Sequence, residues 1–255
     1  CPPSAEKIYS FLKKEYQKCF VSGAMLHLEN ASIQKEDVGV LTTEGFFMPL
    51  KKAFNQEYLW DNLKNEQEYP LPAHTYAAWW YCCIPIETIK EQGLPMPIFV
   101  RGDDVEYGLR CNPGFITMNG ICVWHMGFAG KFNVGMDHYQ VNRNLLINQA
   151  VTGLIDDVNV IRKTQLDFRK HILRLDYDSA EIALRALEDY LKGPDFIRQD
   201  LGEKILVSNN QLGHKMVPMK ELGNPEVGLR MMTQRDNLLK NGCSVLPIMV
   251  IDSGF

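Results

Sequence analysis

The stretch MPIFVRGDDVEYGLR, residues 96–110, decides the fold class, because an apolar run leads at once into two adjacent aspartates and a helical pattern. The pattern of MPIFV predicts a buried strand, and that of VEYGLR predicts a helix that begins at the acidic pair. A helix N-terminus stabilises carboxylates, so Asp103 can be the N-cap, with Asp104 and Glu106 in the first turn. The same junction can instead be a ligand site, because ligands often bind where a strand leads into a helix in an α/β fold.

Composition limits the classes of protein that fit the chain. Its 255 residues are 45% hydrophobic and 23% charged, which is typical of a globular protein. The net charge of -4 argues against nonspecific binding to nucleic acid. No stretch of the sequence approaches the roughly 18 consecutive apolar residues that are needed to span a bilayer. Seven scattered cysteines, without a CxxC pair, are typical of a reducing compartment rather than of disulfides or structural zinc.

A change of pattern near residue 145 predicts two domains. Residues 1–145 alternate short strand patterns with helix patterns, whereas residues 146–255 are mainly helical. The amphipathic pattern that crosses this boundary is long and divides into two helices around Gly153.

Shorter patterns predict how the first domain is connected. FVSGAMLHL, residues 20–28, predicts a strand that is broken at Gly23. Residues 29–45 are polar and predict a loop. The dipeptide Asn119-Gly120 separates two short strand patterns and is typical of a hairpin turn.

Two segments that flank the acidic pair in sequence have both structural and functional interpretations. Trp79 and Trp80, in YAAWWYCCIP, can both fill the core, or one of them can stack on a sugar ring. His125, in VWHM, can be a buried histidine with satisfied hydrogen bonds, or it can ligate a cation together with carboxylates. Each segment taken alone favours the core interpretation.

Five motifs, in order and at compatible spacing, resemble the second half of a family 2 glycosyltransferase. They are FVSGAMLHL, YAAWWYCCIP, LPMPIFVRGDDVEYGLR, GICVWHMGFAGKF and HYQVNRNLLI, and they cover about residues 1–147. The subgroup that they resemble most is that of the bacterial galactofuranosyltransferases and related transferases of cell-surface polysaccharides. The resemblance implies the acceptor-side half of a GT-A α/β domain, followed by a mainly helical C-terminal domain.

The resemblance also implies a role for individual residues. Asp104 is the base that deprotonates the acceptor hydroxyl in an inverting displacement, and His125 is a ligand of Mn²⁺ or Mg²⁺ at the donor diphosphate. The implied acceptor-binding residues are Trp79, Trp80, Asp103 and Glu106. The candidate donor or diphosphate contacts are Lys131, Tyr139 and Arg143.

The implied substrates are a UDP- or dTDP-sugar donor, with galactofuranose as a candidate sugar, and a cell-wall or capsular glycan acceptor that can be lipid-linked. Such an acceptor implies a cytoplasmic enzyme that is peripheral at the inner face of the plasma membrane. Nucleic acid is not an expected partner.

The chain departs from the family pattern in one respect. The Asp-x-Asp motif that holds the metal in the family is missing from residues 1–147, and the DYD triplet at residues 176–178 reads as an exposed helix cap. The chain also begins without Met, almost directly in a helical pattern. We therefore expect it to lack the nucleotide-binding half, to be inactive alone with its metal site unfilled, and to cover an open sheet edge by self-association.

Two other classes of protein fit the same residues. A noncatalytic carbohydrate-binding module would use the aromatic rings and carboxylates without a donor site. A metal-dependent hydrolase would use Asp103, Asp104 and His125. An Asp-x-Asp strand encoded just upstream of residue 1 would favour the transferase over both.

Overall fold

The computed structural model of the chain describes residues 8–213, apart from positions 11, 13, 68–69, 128–131, 154–158 and 200, and it also describes residue 226. The chain divides into two compact units, residues 1–214 and residues 215–255. The first unit carries both strands and helices, which confirms the predicted α/β class.

Short strands form three sheets within the described residues. In strand order the sheets are β8-β1-β9, β10-β2-β3-β6 and β5-β4-β7. The strands are β1 (Phe20–Ser22), β2 (Ala24–His27), β3 (Ile33–Glu36), β4 (Gly39–Leu41), β5 (Phe47–Pro49), β6 (Phe54–Asn55), β7 (Thr75–Tyr76), β8 (Cys82–Cys83), β9 (Phe115–Ile116) and β10 (Cys122–His125).

Strands β1 and β2 follow each other directly and are separated only at Gly23, as predicted. A Cβ at Gly23 would lie 2.4 Å from Cδ1 of Tyr81, so only glycine lets this ring approach the backbone. Strand β9 pairs in parallel with β1, and β10 pairs in parallel with β2, so that His125 lies opposite His27. The pairing therefore brings the C-terminal ends of β2 and β10 together.

Two of the predicted connections are wrong. The dipeptide Asn119-Gly120 does form a turn, with a φ of 84° at Gly120. It is not a hairpin, because the strands on either side pair with β1 and β2 rather than with each other. Residues 29–45 are not a loop, because they contain β3 and β4, in which Gln34 and Leu41 are buried.

The helices follow the predicted pattern more closely. They are α1 (Leu59–Asn65), α2 (Ile86–Gln92), α3 (Asp103–Cys111), a π-helical segment (Gly135–Gln140) that leads into α4 (Val141–Thr152), α5 (Val160–Leu173), α6 (Tyr177–Leu191), α7 (Pro194–Ile197) and α8 (Gly202–Leu212). Helices α2 and α4 end at Gly93 and Gly153, both with a φ of 76°, as the two glycines predicted. Within the described residues, every helix is too short or too polar to cross a membrane.

The apolar run before the acidic pair is not a strand, which corrects the prediction for residues 96–100. Pro95 and Pro97 have no N–H group to donate to a neighbouring strand. Val100 adopts a φ of 45°, which no strand residue has. The run is instead an irregular segment that leads into α3.

Helix α4 continues through the position at which a domain boundary is predicted. Its residues Leu145 and Leu146 pack with Leu41 of β4 in one buried cluster. Helix α4 also contacts α3 and the π-helical segment before it. The division into domains near residue 145 stays a prediction.

Candidate active site

Helix α3 places the two aspartates in its first turn. The N-cap is Gly102, with a φ of 86°, rather than the predicted Asp103. The Asp104 carboxylate accepts hydrogen bonds from the backbone N–H groups of Val105, at 2.8 Å, and of Trp79. The beginning of α3 therefore adjoins the segment that carries the two tryptophans.

The environment of Asp104 changes its acidity. Burial, and secondly the charge of Asp103, raise the pKa of Asp104 to about 6. Backbone N–H groups act in the opposite direction, because they stabilise the carboxylate, but burial is the larger effect. Burial is also the main reason why the pKa of the nearby Cys82 is raised to about 12, so Cys82 stays a thiol. At neutral pH the Asp104 carboxyl is therefore still ionised, and its carboxylate is a stronger base than that of an ordinary aspartate.

Trp79 and Trp80 connect the acidic pair to His125. The centroid of the Trp79 ring lies 6.0 Å from that of Tyr107, in an edge-to-face arrangement, and the Trp80 ring lies 6.4 Å from that of His125. Both tryptophans are partly exposed. Because Trp79 also donates its backbone N–H to Asp104, three segments that are distant in sequence meet in one neighbourhood.

His125 presents a defined nitrogen at the end of β10. Its Nδ1 lies 2.7 Å from the carbonyl oxygen of Met126. A carbonyl oxygen only accepts hydrogen bonds, so the proton of the neutral imidazole lies on Nδ1 and the lone pair on Nε2. Nε2 is therefore the atom that would ligate a metal.

The described residues do not by themselves fit a divalent metal. In this part of the chain, no group of three or more His, Cys, Asp or Glu side chains is arranged to hold an ion. Mn²⁺ and Mg²⁺ prefer several oxygen ligands, which one imidazole does not replace. The role of His125 as a metal ligand stays a prediction.

Two asparagines of α4 hold the loop that precedes the acidic pair. Nδ2 of Asn144 lies within hydrogen-bond distance of three successive carbonyl oxygens, those of residues 99, 100 and 101, at 3.2, 3.0 and 2.5 Å, and shares its two N–H groups among them. Nδ2 of Asn148 donates to the carbonyl of Gly102 at 2.9 Å. Val100 and Arg101 have φ values of 45° and 77°, which residues other than glycine rarely adopt. The asparagines stabilise this costly backbone and so fix where α3 begins.

Sequence reasoning missed Asn144 and Asn148. Both lie in VNRNLLINQ, where they are four residues apart and therefore on one face of the predicted helix. Two amides on one face of an otherwise apolar helical stretch are a signal for a buried polar contact, because buried amides need hydrogen-bond partners. The sequence does not indicate which backbone they hold.

Glu106 differs most from its predicted role. It is 0% exposed and pairs with Arg110, with a distance of 2.5 Å between Oε1 and Nε. Arg110 also donates to the carbonyl groups of Gln92 and Leu94. In this geometry Glu106 ties α3 to the end of α2 and does not present its carboxylate to an acceptor, whereas Asp103 is partly exposed.

Two of the three predicted diphosphate contacts, Tyr139 and Arg143, have other partners in the described part of the chain. Tyr139 is 0% exposed and donates to Oδ2 of Asp189 at 2.5 Å; burial raises its pKa. The Arg143 guanidinium lies over the Tyr139 ring, 5.5 Å from its centroid, and lines a separate cavity. Lys131 lies outside the described residues. The role of all three in donor binding stays a prediction.

The DYD triplet is a helix cap, as predicted, but it is not exposed at its first residue. Asp176 is 0% exposed, and its Oδ1 accepts from the backbone N–H of Ser179 at 3.2 Å as the N-cap of α6. Its Oδ2 lies 3.3 Å from Nδ1 of His171. These contacts explain the triplet without a metal.

Two known proteins to which the chain is similar are galactofuranosyltransferases. An alignment over 130 positions, which covers 47% of this chain and 19% of the relative, is 35% identical to Galactofuranosyltransferase GlfT2 of Mycolicibacterium smegmatis. A second alignment, over 216 positions, covers 77% of this chain and 33% of the relative and is 28% identical to Galactofuranosyltransferase GlfT2 of Mycobacterium tuberculosis. The chain thus spans no more than 33% of either relative. No protein-family model matches the chain.

Proposed function

We propose that the chain is the acceptor-side part of an inverting family 2 glycosyltransferase of the GT-A fold. Its similarity to two galactofuranosyltransferases supports the class of enzyme and suggests galactofuranose as the transferred sugar. The observation that carries the proposal is the Asp104 carboxylate. It combines a pKa of about 6 with a hydrogen bond from the backbone of Trp79, the first of two adjacent, partly exposed tryptophans.

The reaction needs a base because a sugar hydroxyl is a poor nucleophile. In the proposed step the acceptor hydroxyl oxygen forms a bond to the anomeric carbon of the donor, and its proton passes to the Asp104 carboxylate. The bond between the anomeric carbon and the nucleoside diphosphate breaks, and the diphosphate leaves with the electron pair. A carboxylate with a raised pKa accepts this proton more readily than an ordinary aspartate does.

The neighbours of Asp104 suit a sugar acceptor. Indole rings pack against the apolar C–H faces of sugars. Trp79 donates its backbone N–H to the Asp104 carboxylate, and the ring of the next residue, Trp80, lies near His125. Asp103, one residue earlier in the first turn of α3, can accept hydrogen bonds from acceptor hydroxyl groups. These contacts would hold one hydroxyl near Asp104, which accounts for much of the catalysis in such a step.

The remaining parts of the proposal concern the donor side. We propose a UDP- or dTDP-sugar donor and a divalent metal at its diphosphate, with His125 as one ligand. The other ligands would come from outside the described residues. A lipid-linked glycan acceptor and a location at the inner face of the plasma membrane belong to the same proposal.

Transfer by the protein expressed from its complete reading frame tests the proposal. With UDP-galactofuranose and a galactofuranose-terminated oligosaccharide, elongation measured by mass spectrometry should be lost in Asp104→Asn. We expect kcat to fall by at least about a hundredfold, as for loss of a general base, while the donor KM stays nearly constant. Asp103→Asn is the comparison variant: it should raise the acceptor KM, because Asp103 is proposed to bind acceptor hydroxyl groups, but it should lower kcat far less, because the base remains.

Each alternative class of protein predicts a different result. Near-normal turnover of Asp104→Asn with saturating acceptor would show that Asp104 is not the base. Release of free sugar without elongation would indicate a hydrolase. Binding of the oligosaccharide by wild-type protein that does not turn over the donor would indicate a noncatalytic module.

A further inference from the structure

A cavity of about 890 Å³ lies beside the loop that precedes the acidic pair. Its volume is within the range of small-molecule pockets, roughly 300–1,000 Å³. The apolar side chains on its walls include Ile98 and Phe99 before α3, Ile147 and Val151 on α4, and Leu191 and Ile197 near α7. The site proposed for sugar transfer does not use this cavity.

One charged side chain on the cavity wall is almost completely buried. Arg143 is only 6% exposed. Its Nε and Nη2 donate to Oδ1 of Asn144 at 3.1 and 2.9 Å, and its guanidinium lies over the Tyr139 ring. Among the residues that the structure describes, no carboxylate lies within ion-pair distance of it. Its nearest charged connection shown is indirect: the Tyr139 hydroxyl, which is hydrogen-bonded to Arg143, donates to Asp189, and Asp189 is itself paired with Lys192 at 2.5 Å. The guanidinium therefore has no direct carboxylate partner among the described residues, and an anion in the cavity would supply one.

We propose that this cavity binds a single-chain anionic amphiphile. The phosphate or carboxylate of the ligand would pair with Arg143, because a guanidinium matches the two oxygens of either group. The hydrocarbon chain would lie along the apolar walls, where it would leave water. A nucleotide-sugar fits this site poorly, because most of the side chains on its walls are apolar and would leave many of its hydroxyl groups without hydrogen-bond partners. The proposal is independent of the proposed transferase activity.

Calorimetric titration of the 255-residue chain tests the proposal with probes used below their micellar concentrations. Decyl phosphate and decanoate should each bind at a single saturable site. Decanol and inorganic phosphate should bind at least about tenfold more weakly, because each provides only one half of the interaction. Equal affinity for decanol and decyl phosphate would overturn the proposal.

Two variants separate the two halves of the site. Arg143→Gln should reduce the affinity for decyl phosphate to that for decanol. Ala150→Trp should weaken both, because the indole would enter the cavity from an exposed position of α4 that can change without disturbing the core. Arg185→Gln is the matched control, since Arg185 lies on α6, pairs with Glu181 and does not line the cavity. If Arg143→Gln does not fold, unchanged binding by Ala150→Trp would still refute the site.

Discussion

Replacing Asp104 with asparagine should stabilise the folded chain at neutral pH. Burial raises the pKa of Asp104 from its ordinary value of 3.8 to about 6, so the native state binds this proton more tightly than the unfolded chain. The carboxyl therefore contributes most to stability below about pH 4, and that contribution is lost as the pH rises through about 6. The whole shift corresponds to about 3 kcal/mol. Because Asp104 is partly exposed, we expect about 1–2 kcal/mol.

Urea unfolding of the 255-residue chain, followed by tryptophan fluorescence, measures this effect. The increase in the free energy of unfolding caused by Asp104→Asn should be near zero at about pH 4 and should reach its full size at about pH 7. Asp103→Asn, the control, should give a smaller gain, because it removes only the secondary cause of the pKa shift. An equal loss of stability at both pH values would refute the reasoning. It would mean that the hydrogen bonds accepted by the carboxylate outweigh the cost of burying it.

Three further outcomes are expected. Arg110→Met should lower the free energy of unfolding by about 3–5 kcal/mol in urea, because it leaves the Glu106 carboxylate buried and unpaired; the double variant with Glu106→Gln should recover part of this loss. Asn144→Ala should cost about 1–3 kcal/mol in the same assay and speed amide hydrogen exchange in the preceding loop, whereas a purely local effect on α4 would leave that exchange unchanged. In the transfer assay, kcat should fall about tenfold per pH unit below about pH 6, as the Asp104 carboxylate becomes protonated. Asp103→Asn should shift this acidic side of the pH profile to lower pH, because the charge of Asp103 helps to raise the pKa of Asp104. An unchanged profile would exclude this coupling.

The parts of the fold that the sequence predicted are those with local signals. Helices α2 and α4 end at glycines whose left-handed conformation is a property of the residue itself. The break at Gly23 was also marked by a glycine, although the cause there is the close approach of the Tyr81 ring rather than a left-handed backbone. The strands within residues 29–45 were missed, because they are short and are stabilised by pairing with other strands rather than by their own composition.

The candidate site was only partly predictable, because contacts between segments that are distant in sequence leave no local signal. Motifs identified Asp104 and His125, but the contact of Trp80 with His125 and the buried state of Glu106 depend on packing between distant segments. The spacing of four residues between Glu106 and Arg110 was visible in the sequence and typical of an ion pair. The spacing does not predict, however, that Glu106 is completely buried and has no surface left to contact a ligand.

The loop before the acidic pair has a consequence for the order in which the molecule assembles. Asn144 lies 43 residues along the chain from Arg101, whose carbonyl it holds. The left-handed conformations of Val100 and Arg101 are unfavourable in isolation, so they are populated only after α4 has docked. A peptide spanning residues 94–112 would therefore not adopt the geometry of the acidic pair. In the intact chain this geometry should be among the last features to form and among the first to be lost when α4 loosens.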